Sequence, residues 1–301
     1  MTPRVLVTGG SGFIGWYAAR LLCQNGWETH VVGRRRPADL PESCNFHSLD
    51  LLAEGSTALT LRSIKPTHLL HFAWNTQPGT FWNAPDNLDW LAASVRLYQT
   101  FKDIGGRRAV FAGSCAEYEW AEPVLVEDSS PLRPGTLYGL CKDSLRRVLE
   151  KAASQDKISF AWGRIFWLYG PREKPGRLVS DLVFGLLSGR TVPCTEGSQC
   201  RDFMYAEDVS RAFVELLGGE VTGAVNVASG RAIRVAEIIS MAAELIGRPD
   251  LIEWGALPTT AGQPAVVRAD IGRLTGAVGF VPTYELREGL METIAWWKSL
   301  R

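Results

Sequence analysis

The 301-residue sequence predicts an α/β fold, a doubly wound parallel sheet with a smaller, interleaved C-terminal lobe. Three observations predict it. Short β-rich runs alternate with longer helical patterns through the first half, as in a parallel sheet with crossover helices. A glycine-rich turn joins the first strand to the first helix within VLVTGGSGFIG. Beyond Arg164 the alternation loosens into segments punctuated by Gly197, Gly218, Gly219, Gly230 and Pro258.

Taken in chain order, strands are expected at about 4–8, 28–32, 44–49, 68–72, 109–112 and 158–164, with helices near 12–25, 86–105 and 136–154. Right-handed crossovers then place a ligand crevice outside the strand C-terminal ends. After the loop of residues 169–176, helices are expected at 177–187, 207–217, 235–246 and 286–299. Residues 1–170 read as the larger unit and 171–301 as the smaller lobe, with the segment 207–230 returning to the first.

Thirty-two basic and 32 acidic residues give zero formal charge, which argues against a nucleic-acid or membrane-surface partner needing a basic excess. The start MTPRVLVTGG shows no secretory leader pattern, and no apolar run reaches membrane-spanning length, so the cytosol is the expected compartment. The six cysteines lack CxxC spacing and read as reduced thiols. All four histidines fall between His30 and His71 without metal-ligand spacing, so no metal is expected.

Gly9, Gly12 and Gly15 follow a strand and open a helix. There, glycine permits a tight turn, close approach of backbone N–H groups (those of Phe13 and Ile14 among them) to a pyrophosphate, and close helix packing. This is a Rossmann-like dinucleotide turn. At the end of the second strand Gly33 precedes Arg34, Arg35 and Arg36, where an NAD site usually has an acidic residue. Arg34 and Arg35 suit a 2′-phosphate, so NADP(H) is the preferred cofactor and NAD(H) the alternative. A solvated basic turn is the plainer reading of the same residues.

Tyr138 and Lys142 stand four apart early in a helix, on one face. A nearby ammonium stabilises a phenolate and lowers the tyrosine pKa, making a proton donor and acceptor. Ser114 ends the fifth strand at the crevice edge, where a hydroxyl can orient a substrate carbonyl. An exposed Tyr/Lys pair and a turn serine are the structural alternatives.

Together these residues resemble the extended short-chain dehydrogenase/reductase superfamily, in its nucleotide-sugar epimerase/dehydratase/reductase branch, over nearly the whole chain. Asp50-Leu51 is similar to the family's adenine-contacting stretch, and Phe72-Ala73 to its cofactor-lining strand end. The segments RIFWLYGP (164–171), RDFMYAED (201–208), NVASG (226–230) and GFVP (279–282) resemble its nucleotide-sugar lobe.

The resemblance implies Tyr138 as the proton-transfer residue, Lys142 as its ribose-binding partner and Ser114 as the third member. It implies Arg201, with Arg268 as a second cation, for a nucleotide diphosphate, and a homodimer packed through the helices near 86–105 and 136–154. Cys115-Ala116 replaces the Asp-Glu of the related 4,6-dehydratases, so elimination of water lacks its machinery. Ala116 stands where epimerase-reductases carry a cysteine, and no histidine follows His71, which disfavours epimerisation at C-3 and C-5. Trp90 and Trp167 replace asparagines common in relatives, and Trp74, Trp82 and Trp120 add indoles around the crevice. Such rings can cover the apolar face of a 6-deoxy sugar, although core packing explains most tryptophans.

The leading expectation is an NADPH-dependent reductase of a nucleotide-linked 4-keto-6-deoxy sugar, with Ser114, Trp74, Trp167, Arg201 and Arg268 touching substrate. The alternative is a nucleotide-sugar 4-epimerase with retained NAD. A non-catalytic dinucleotide sensor is the third reading, opposed by the presence of Tyr138 and Lys142.

Overall fold

The computed structural model describes residues 3–53, 55–259 and 262–301. Among these residues the strands are β1 (Arg4–Thr8), β2 (Glu28–Gly33), β3 (Asn45–Ser48), β4 (His68–His71), β5 (Arg108–Ser114), β6 (Val124–Leu125) and β7 (Ser159–Ile165). They continue as β8 (Trp167–Tyr169), β9 (Val192–Pro193), β10 (Cys200–Tyr205), β11 (Gly223–Val227), β12 (Ala232–Arg234), β13 (Ile252–Glu253) and β14 (Val266–Ala269). The helices are α1 (Phe13–Gln24), α2 (Ser56–Ile64), α3 (Asn87–Asp103), α4 (Leu137–Asp156) and α5 (Leu178–Leu187). In the second half follow α6 (Ala206–Gly218), α7 (Val235–Ile246), α8 (Gly272–Gly276) and α9 (Leu286–Ser299).

Seven parallel strands form the main sheet in the order β3-β2-β1-β4-β5-β7-β11. Successive side chains point to opposite faces of a strand, and here both faces are apolar. Val5, Val7, Leu70, Val110 and Val225 pack on α1 and α6. Leu6, Leu69, Phe111 and Trp162 face α2, α3 and α4 on the other side. The chain therefore returns through α6 and β11 to the main sheet.

A second, smaller sheet runs β12-β10-β14-β6, with β8 also paired to β10. Against it α5, α7 and α9 bury Leu182, Ile238, Ile239, Leu290 and Trp297 together with Phe203 and Tyr205. No described helix is long and apolar enough to cross a membrane.

Two sequence expectations need correction. Helix α2 has no place among the expected helices; it forms by burying Leu61 and Ile64 under the sheet. The six cysteines are not all thiols, since Cys23 on α1 and Cys44 before β3 are paired as a disulfide, their Cα atoms 6.4 Å apart. The other four are free.

Candidate active site

The strand order reverses at β1, whose neighbour on one side is β2 and on the other β4. This is the switch point at which doubly wound sheets leave a crevice. Gly9 leaves β1 with φ of +70°, and a Cβ there would lie 2.7 Å from the Ala73 nitrogen at the end of β4. Only glycine allows this backbone crossing.

Gly12 then N-caps α1 without a side-chain cap, leaving the first helical N–H groups, at Phe13 and Ile14, free for an anion. A Cβ on Gly33 would meet Ser11 Oγ at 3.0 Å, so β2 also passes close to this turn. These cradles, together with the uncapped helix, fit a dinucleotide pyrophosphate.

Beyond Gly33, Ser11, Arg34, Arg35, Arg36 and Pro37 line an open cavity. The three arginines differ in their partners. Arg36 is spent on the loop itself, donating to the carbonyls of Cys44 (3.1 Å), Leu40 (3.3 Å) and Pro41 (3.0 Å). Arg34 and Arg35 are exposed. Asp50 follows β3 and accepts from the Leu52 nitrogen at 3.0 Å, while Leu51 packs against the core. Phe72 packs edge-on against Phe213 of α6, and Ala73 is buried.

His71 forms the buried floor of the crevice. Ser94 spends its hydroxyl hydrogen on the Trp90 carbonyl (2.7 Å), so His71 Nε2–H donates to Ser94 Oγ (2.9 Å). Nδ1 then accepts from Thr8 Oγ1 at 2.6 Å. Burial, with Lys142 nearby, holds this imidazole neutral, its pKa well below the ordinary value.

Ser114 closes β5 and caps the short helical turn of Cys115–Glu117. Thr136 caps α4, accepting from the Gly139 nitrogen at 3.1 Å, so Tyr138 and Lys142 fall in its first two turns. Tyr138 is buried close enough to Ser114 for that hydroxyl to favour the phenolate. Lys142 is buried, and its Nζ donates to the Ala112 carbonyl at 2.8 Å. The structure thus brings Ser114, Tyr138 and Lys142 together at the C-terminal edge of the sheet.

Their electrostatics differ from expectation. Burial pushes the Tyr138 phenol up, and the groups opposing this are Ser114 and Arg177, not Lys142. Lys142 itself is pulled down to about 7, mainly by burial, with Glu117 opposing.

Arg177 is absent from the residues that the sequence singles out. It N-caps α5, donates to the Thr76 carbonyl at 3.0 Å and lies over the Phe81 ring. No local motif marks it; its preceding Gly176 touches Pro78 across the cleft.

Aromatic rings surround the triad. Phe81, Trp82 and Trp74 meet the Tyr138 ring edge to face at 4.9, 5.9 and 6.3 Å. Trp90 stacks behind Trp74. Trp167 instead packs with Trp120 at 5.3 Å, under the Arg201 guanidinium.

Arg201 is buried and donates only to neutral acceptors: the Cys200 and Pro264 carbonyls and Gln263 Oε1. A buried cation paired with no carboxylate among the described residues is poised for an anion. Arg268 does not join it. Arg201 pairs with Val267 in parallel register, so Arg268 projects from the opposite face, where it donates to the Gly230 carbonyl. The acids of the same motif are structural. Asp202 accepts from the nitrogens of Ser229, Gly230 and Ala269, and Asp208 from those of Thr283 and Tyr284.

Comparison with known proteins agrees with this geometry. The profile of the NAD dependent epimerase/dehydratase family matches residues 5–228. Among solved structures, MoeE5 in complex with UDP-glucuronic acid and NAD is 30% identical with a TM-score of 0.85, over 99% of this chain and 100% of that one. The UDP-glucose 4-epimerase of Thermus thermophilus, in complex with NAD, is 25% identical with a TM-score of 0.87, over 98% and 99% of the two chains. A probable UDP-glucuronate 4-epimerase of Rhizobium meliloti (strain 1021) is 23% identical over 98% of this chain and 96% of its own length.

Proposed function

Because the chain belongs to the NAD dependent epimerase/dehydratase family, we propose that it is a nucleotide-sugar 4-epimerase. This revises the reductase expected from the sequence. The observation that carries it is the convergence of Ser114, Tyr138 and Lys142 above the β1–β4 crevice, in a chain similar to proteins named as 4-epimerases.

The turn at Gly9, Gly12 and Gly15 would hold NAD(P), which when bound would supply the hydride acceptor and donor for the sugar C-4. Tyr138, as the phenolate left once its own proton has been released, takes the C-4 hydroxyl proton during oxidation and gives it back during reduction. Ser114 donates to the same sugar oxygen and orients it. Lys142 supplies positive charge beside the phenol and binds the ribose. Arg201 receives the nucleotide diphosphate. The rings of Trp74, Phe81 and Trp82 cover one face of the sugar and exclude water. Exposed Leu88 on α3 and Leu140 and Val148 on α4 support a homodimer through those helices.

A second reading, the NADPH-dependent 4-ketoreductase, is favoured by one observation: Arg34 and Arg35 stand exposed beyond Gly33 with no acidic residue in their place. The test is a substrate panel of UDP-glucose, UDP-glucuronic acid and dTDP-, CDP-, GDP- and UDP-linked 4-keto-6-deoxy sugars. Products are identified by NMR while NADPH and NADH are followed. C-4 inversion without net cofactor consumption is expected, reduced at least about 100-fold in Tyr138→Phe. Stoichiometric oxidation of NADPH by a 4-keto sugar, without inversion of any hydroxy sugar, would replace this reading with the second.

A further inference from the structure

The Lys142 ammonium is buried, yet among the described residues its one conventional acceptor is the Ala112 carbonyl. Aromatic faces meet the rest of it. Nζ lies 3.9 Å from the centre of the Trp74 ring, against 5.9 Å for Tyr138 and 6.0 Å for Trp162. A cation at that distance over an indole is attracted by the ring quadrupole, most strongly when water is excluded.

The Trp74 ring is itself held in place. Its Nε1–H donates to Asn87 Oδ1 at 2.8 Å, and buried Asn87 donates to the carbonyls of Phe81 and Ala84, both at 2.8 Å. Trp90 stacks against it, with ring centres 6.4 Å apart.

Among the described residues no carboxylate forms an ion pair with this ammonium, and Glu117 supports its charge only through space. Glu117, the carboxylate acting on Lys142, already accepts from Ser114 N, Trp162 Nε1 and Arg164 Nε. His71 is held neutral by burial. Burial also pushes up Tyr138 and Cys141 on α4. Arg177 faces Tyr138 as a further cation.

We propose that Trp74 is a positioning residue for Lys142, its indole face holding the buried ammonium charged and directed along the end of β5. The inference rests on Lys142 serving the reaction proposed above. It gives Trp74 a task distinct from covering sugar: to keep a desolvated lysine protonated where the cofactor ribose and the Tyr138 phenol need it.

The test measures affinity for NADPH and NADH by calorimetric titration of the purified full chain between about pH 5.5 and 9.5. The fall in affinity as Lys142 deprotonates gives a midpoint, and Lys142→Met is expected to abolish that pH dependence. Trp74→Leu is expected to move the midpoint down by about one pH unit, weakening binding up to about tenfold above neutrality with recovery at low pH. Trp74→Phe, which keeps a ring face, should restore most of the wild-type midpoint.

An unmoved midpoint in Trp74→Leu overturns the proposal, whatever the overall loss of affinity, because packing alone lowers affinity equally at every pH. Should that variant fail to fold, Trp74→Met decides by the same criterion. Because binding is measured without sugar, a chain that shifts its midpoint but turns over no nucleotide sugar removes the proposed reaction and leaves the Trp74 role standing.

Discussion

Arg34 and Arg35 leave the end of β2 exposed, whereas Arg36 is consumed by the carbonyls of its own loop. A 2′-phosphate would gain charge-assisted bonds from the first two. Replacing both by alanine is expected to lower NADPH affinity about 10- to 100-fold relative to NADH, read by parallel titrations; an unchanged ratio would assign the cluster to solvent. Glu173 offers a separate residue-scale test. Burial raises its carboxyl to about 8, against opposing effects of Arg177 and the Ser180 nitrogen. Its folded pKa thus exceeds the unfolded value of 4.5. The stability it contributes is complete below about pH 4.5 and disappears as pH rises through about 8. Glu173→Gln, neutral throughout, should therefore become more stable relative to wild type between pH 5 and 9, by roughly 2–4 kcal/mol. Thermal melts across that range would show the crossover.

Between elements, the turn after β5 is locked to β7 through one carboxylate. Glu117 is fully buried and accepts from the Ser114 nitrogen, Trp162 Nε1 and Arg164 Nε, each at 2.8 Å. Arg164 also donates to Tyr118 Oη, which donates in turn to Asn226 on β11. Three adjacent strands are thereby tied to the serine that faces Tyr138. Glu117→Gln leaves Arg164 buried without its counter-charge, at a cost of about 3–5 kcal/mol in urea unfolding. A loss under about 1 kcal/mol would show that the network is not a unit. This clamp was not legible in the sequence, because Glu117 and Arg164 are far apart in the chain and each looks like an ordinary charged residue. The glycine turn was legible because its demands are local: Gly9, Gly12 and Gly15 each answer a close contact within a few residues or a neighbouring strand end. The second sheet was illegible for the opposite reason, its strands of two to six residues gaining stability only from partners remote in sequence.

Across the whole molecule, the doubly wound architecture follows from alternation that the sequence displays openly, and the crevice follows from the strand order. What the alternation does not disclose is which charges remain free once the chain is folded. Of the motif acids, Asp202 is held by backbone N–H groups and the Ser229 hydroxyl and Asp208 by backbone N–H groups and Arg211, while Arg201 donates, among the described residues, to neutral acceptors alone. Arg177 acts on Tyr138 from the N-terminus of α5, and the Trp74–Lys142 contact joins the loop after β4 to α4. The floor of the crevice imposes a further condition. His71 engages both ring nitrogens, one receiving a hydrogen from Thr8 and the other giving one to Ser94. The remaining histidines lie at His30, His47 and His68, the first two hydrogen-bonded to each other and the third beside Thr67. Both ring nitrogens of the one imidazole at the crevice floor are thus already engaged. In the reaction proposed above, proton exchange would run along the hydroxyl pair of Ser114 and Tyr138, a route with a single gate, on the helix of a lysine that burial brings down to about 7.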